Sequence, residues 1–77
     1  MNLDTISTRE KQVLYLLANE YRTDEIADKL FISPHTVISH RRHLLEKLNV
    51  RNTAGMVRVA FECGLLRIPV FARDPYS

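Results

Sequence analysis

Seventy-seven residues leave room for one small domain, whose core is marginal without a partner or a second copy, and exclude enzymes that need a deep cleft between two layers. Hydrophobic residues make up 45% of the chain and charged residues 26%, a globular balance that excludes disorder, while a lone cysteine, Cys63, excludes a disulfide-stapled fold and predicts a reduced, cytoplasmic setting. The formal charge of +2 is unevenly divided: residues 1–34 carry four basic and six acidic side chains, residues 35–77 seven basic and three acidic, with all three histidines in the second part. That polarity predicts an anionic partner, nucleic acid first.

The first helix is predicted from Ser7, which stands three residues before Glu10 in the spacing of a capping box. Val13, Leu14, Leu17 and Tyr21 recur at helical intervals and give it one apolar face. A second helix starts at Thr23, with Asp24 and Glu25 in the first turn where the helix dipole favours negative charge, and turns Ile26, Ala27 and Leu30 inward. The third has the clearest start. Ser33 is a good N-cap, and Pro34 suits the first helical position, where its missing N–H costs nothing. This helix runs to about Leu48, with Asn49 as a left-handed cap. Asn52 caps a fourth helix that continues to Gly64. No alternating β-branched run appears, so the fold class is all-α: four helices over residues 1–66, then a tail over 67–77. No apolar run is long enough for a bilayer, and no secretory signal follows Met1.

Only Phe31, Ile32 and Ser33 join the second and third helices, which forces a sharp turn. This is helix-turn-helix geometry, although an ordinary helical hairpin has the same spacing. On a wheel at about 100° per residue, Val37, Leu44, Leu45 and Leu48 gather on the inner side of the third helix. His35, Ile38, Ser39, Arg42, His43 and Glu46 gather on the outer side. Arg41 falls inside by angle, so its guanidinium is expected to reach out from the edge. A helix of this length fits the major groove, where Arg42 can pair with guanine, Ser39 can donate or accept, and Ile38 can touch a thymine methyl. The competing reading is a solvated helix with incidental charges.

The stretches ISTREKQVL (6–14), DEIADKL (24–30), ISPHTVISHRRHLLEKLNV (32–50) and AFECGLL (60–66) resemble the LuxR-type helix-turn-helix family. That family is also named for GerE and for the output domains of NarL- and FixJ-like response regulators. The resemblance covers about residues 3–66. It implies a four-helix DNA-binding domain, with helix three in the major groove and helix four as a dimerisation helix. Carried over by position, the base-reading residues are Ile38, Ser39 and Arg42, and the backbone contacts are Thr23, Ser33, Thr36, Arg41 and Lys47. Three positions depart from the family pattern. Ile38 stands where lysine is usual, Glu20 where a glycine usually ends helix one, and Thr53 where arginine is common. The Glu20 departure predicts a different turn there.

In the fourth helix, Val57, Ala60, Phe61 and Gly64 form one stripe, assigned to the core, and Met56, Val59 and Cys63 a second, assigned to a homodimer interface. Alternatively, Met56 and Cys63 meet the tail residues Ile68, Val70 and Phe71. Catalytic chemistry is scarce. His40 and His43 make at most a two-ligand fragment, where structural zinc takes four, and Cys63 has no base beside it. No catalytic site, metal or cofactor is therefore expected. The sequence is read as a DNA-binding transcription regulator or its output domain, working on duplex DNA as a homodimer and recruiting or blocking RNA polymerase, with no membrane partner. The alternatives are a sigma-factor region 4-like module and a helical protein-interaction module without DNA binding.

Overall fold

The computed structural model describes residues 5–67. The tail beyond Arg67, with Ile68, Val70 and Phe71, lies outside the described residues. Four helices follow one another, α1 (Thr8–Ala18), α2 (Thr23–Leu30), α3 (Pro34–Lys47) and α4 (Thr53–Glu62), with no strand among the described residues. The all-α architecture is the one the sequence predicts.

Three of the four starts use the predicted caps. Ser7 Oγ accepts the Glu10 amide at 3.0 Å, while the Ser7 amide donates to Glu10 Oε1 at 2.8 Å, a reciprocal capping box. Ser33 Oγ accepts from the Thr36 amide at 3.1 Å, and Asn52 Oδ1 from the Gly55 amide at 2.9 Å. The start of α2 is less complete. Thr23 is its first helical residue, and the cap position falls on Arg22, which has no side-chain acceptor to offer. Only the return half of the box forms there, with the Arg22 amide donating to Glu25 Oε1 at 2.8 Å.

All four helices end on a left-handed residue: Glu20 (φ 68), Phe31 (φ 58), Asn49 (φ 55) and Gly64 (φ 84). After α1 the Tyr21 amide donates to Leu16 O at 3.1 Å, and after α3 the Val50 amide donates to Leu45 O at 3.0 Å, the six-to-one closure of a Schellman turn. Asn49 and Gly64 suit that conformation; Glu20 and Phe31 do not. The turn after α1 is thus closed as a glycine would close it, and the glutamate bears the strain. Glu20→Gly is accordingly expected to stabilise the domain by about 1 kcal/mol, read as a higher urea midpoint at unchanged m-value. A lower midpoint would mean that the glutamate makes a compensating contact.

Val13 and Leu14 of α1, Ile26 and Ala27 of α2, Val37, Leu44 and Leu48 around α3, and Met56 and Ala60 of α4 form the core. Ile6 and Leu66 close it at the two ends of the described chain. α3 is the central element, packed mainly against α1 and α2 and more lightly against α4. The stripes of α4 differ from the sequence reading. Met56, assigned to the dimer face, is 0% exposed and belongs to the core; Phe61, assigned to the core, is 41% exposed. Met56 and Ala60 are four residues apart and share the inward row, whereas the single step from Ala60 to Phe61 swings the ring outward. Among the described residues, no helix is long and apolar enough to cross a membrane.

Candidate nucleic-acid interface

Burying Val37, Leu44 and Leu48 fixes the rotation of α3 about its axis and so decides which side chains it shows to solvent. His35, Ile38, Arg42, His43 and Glu46 are exposed and Ser39 is half-exposed, the face that the helical wheel predicts. Ile38 is 50% exposed in the middle of that face, an apolar side chain left uncovered beside Arg42. No ion pair among the described residues involves Arg42, so its guanidinium fork is free to meet an acceptor outside the chain. At the helix start, Ser33 Oγ and Thr36 Oγ1 lie 2.9 Å apart. These hydroxyls stand beside the amides that make a helix N-terminus attractive to phosphate. Thr23 is half-buried at the first position of α2.

Two of the predicted backbone contacts are engaged inside the protein. Arg41 does not reach out from the edge of α3: its Nε and Nη2 donate to Thr53 Oγ1 at 3.1 and 2.9 Å, tying α3 to the first residue of α4. This accounts for the departure at position 53. An arginine there would place a second cation beside Arg41, whereas threonine supplies an acceptor. Lys47 is likewise committed, its ammonium donating to Glu10 Oε1 at 2.7 Å and to the Thr5 carbonyl at 2.6 Å.

Glu10 is the residue that sequence reasoning placed only as a cap. It is 3% exposed, the one buried charged residue among those described, and it joins α1 to the far end of α3. Burial pushes its carboxyl up, but the hydrogen bond from Lys47 and that from the Ser7 amide, with the Lys47 charge and the Ser7 hydroxyl, outweigh this and hold it below the ordinary glutamate value. The other carboxylate oxygen, Oε2, faces Nδ1 of His43 at 3.8 Å. A pairing across 37 residues leaves no periodic trace in the sequence. The available hint was a capping glutamate on the same helix as a buried apolar face.

The dimer stripe is reduced to Val59 and Cys63, both half-buried, once Met56 is placed in the core. The side chains α4 leaves most open are Ala54, Arg58, Phe61 and Glu62, with Arg58 and Glu62 paired at 3.0 Å.

Comparison with known proteins agrees with this geometry. Residues 4–60 match the family model described as GerE, bacterial regulatory proteins of the luxR family. The chain is 41% identical over 61 residues to the oxygen regulatory protein NreC of Staphylococcus carnosus, and 39% identical over 61 residues to that of Staphylococcus epidermidis. Both alignments take in 79% of this chain and 28% of the relative, so the chain spans little more than a quarter of the length of these relatives. Among solved structures it resembles the response regulator ChrA of a heme-sensing two-component system, with a TM-score of 0.78 and 32% identity over 86% of this chain and 33% of that one.

Proposed function

The chain belongs to the luxR family of bacterial regulatory proteins, a family of DNA-binding transcription regulators, and we propose that it is the output domain of a response regulator, reading duplex DNA with α3 in the major groove. The observation that carries this reading is the free Arg42 beside the uncovered Ile38, on a helix whose opposite face is sealed into the core. Ile38, Ser39 and Arg42 are the base-reading set. Thr23, Ser33 and Thr36 meet the sugar–phosphate backbone, the last two through the α3 N-terminus. Arg41 and Lys47 act one step back, holding α3 against α4 and α1 at the angle the groove requires. The domain works in the cytoplasm, where the DNA is, and governs the access of RNA polymerase to its sites.

Binding is as a homodimer joined through α4. One helix per subunit makes a small interface, near or below the roughly 1,200 Å² low end for specific association. The dimer is therefore weak when free and tightens on DNA, where two half-sites raise the effective concentration. Val59 and Cys63, half-buried, are what remains of the dimer stripe, and a glutamate at Val59 puts two like charges near the two-fold axis, where the same patch meets itself. Val59→Glu is expected to abolish cooperative binding to a two-half-site duplex selected from a random pool while circular dichroism and one-half-site binding persist; unfolding would assign Val59 to the core. Surviving cooperativity would place the dimer elsewhere. The DNA reading itself is tested by affinity for random duplex, which must fall steeply with salt.

A further inference from the structure

His43 lies about 100° round α3 from Arg42, on the flank toward the N-terminal end of α1. A helix in the major groove turns its outermost line to the base edges and its flanks to the two phosphate walls. The His43 side chain is 54% exposed, and one edge of its ring faces the buried Glu10, with Nδ1 3.8 Å from Oε2. From α1 the facing charge is Glu10. On α3 the neighbours one turn away are His40, Glu46 and Lys47, and Lys47 is turned onto Glu10. No charged side chain of α2 or α4 pairs with it among the described residues.

Resting on the reading of α3 as the groove helix, we propose that His43 is a phosphate contact positioned by Glu10, and that it binds the phosphate by taking up a proton. A ring nitrogen facing a carboxylate carries the hydrogen, since a lone pair there would be repelled. In the neutral imidazole this leaves Nε2 as a bare acceptor, which a phosphate oxygen repels in turn. Protonation converts Nε2 to a donor. Glu10 and Lys47 cancel one another, so the cluster is neutral with neutral His43 and carries one positive charge with the imidazolium. Phosphate thus selects the protonated form, and binding is linked to proton uptake.

The test uses a random-sequence duplex, because a phosphate contact is indifferent to sequence. Wild-type affinity should fall by up to about tenfold between pH 6 and pH 8, beyond any fall in His43→Gln, and its salt slope should be about one unit steeper at the lower pH. His43→Gln should bind weakly at both pH values, and His43→Arg, permanently charged, tightly at both. His35→Gln should keep the wild-type pH dependence. In the free protein, imidazole nitrogen-15 shifts should show the neutral ring protonated at Nδ1. The proposal is overturned if His43→Gln retains the wild-type pH dependence, if His43→Arg gives no gain at the higher pH, or if the neutral ring is protonated at Nε2. Should wild type and His43→Arg both fail to bind duplex in a salt-dependent way, the DNA reading falls, and this proposal with it.

Discussion

Glu10→Ala lowers the stability of the domain by about 3 kcal/mol at neutral pH, an expectation built on one carboxylate doing two tasks. It accepts the Ser7 amide as half of a capping box, worth about 1 kcal/mol. It also meets the Lys47 ammonium at 2.7 Å in a site where Glu10 is almost completely covered. Removing one partner of a buried pair commonly costs about 3–5 kcal/mol; Lys47 is partly exposed and recovers some hydration, which sets the total nearer the lower figure. For a domain of this size that is a shift of roughly 15 °C in the thermal midpoint. Glu10→Gln separates the two tasks, because the amide oxygen still accepts from Ser7 while the charge is gone. The pH dependence then has a definite sign. The folded-state pKa of Glu10 is lowered, so its contribution is complete above the ordinary glutamate value and is lost as pH falls through the lowered one. Thermal melts of wild type and Glu10→Gln should be well separated at neutral pH and converge in acid. Coincident melts at neutral pH would show that the ion pair contributes nothing and that Glu10 serves only as a cap.

The contrast between Ser7 and Lys47 shows which parts of this molecule the sequence makes legible. Helix starts are local events, so Ser7, Ser33 and Asn52 could be read from spacing alone, and each caps as predicted. The outer face of α3 was legible because an apolar row strong enough to be buried also fixes where the polar row must point. Long-range pairing was not legible. Lys47 and Arg41 look like free cations on a basic helix, and only the approach of α1 and α4 gives each an acceptor. The α4 stripes failed for a related reason. A helix apolar over most of its surface has several rows that could face inward, and packing against α1 and α3 selects the one with Met56 and Ala60. The turn at Glu20 shows the converse: closure of the chain imposes a left-handed residue on a side chain that does not favour one.

Arg42→Ala should weaken binding to the preferred site by about tenfold or more, with a much smaller loss on random duplex. The expectation follows from position and freedom together. Arg42 is exposed near the centre of the outer face, one turn beyond Ile38 and Ser39, and among the described residues no carboxylate pairs with its guanidinium. A guanidinium is five donors in a planar fork, which matches the two acceptors of guanine in the major groove, and a good bidentate pair is worth about 1–3 kcal/mol of discrimination. Arg41, its immediate neighbour, has the same chemistry but is held by Thr53, so the two arginines are separated by geometry and not by composition. The discriminating measurement is the ratio of affinities for the selected site and for random duplex at several salt concentrations. A base contact lowers that ratio and relaxes selectivity at one or two base pairs, while the salt slope for random duplex hardly moves. A phosphate contact lowers both affinities by the same factor and flattens the slope by about one unit, an outcome that would transfer the reading role to Ile38 and Ser39. Because Arg42 touches neither the core nor a cap, the variant should melt like wild type, and a loss of DNA selectivity cannot then be attributed to unfolding.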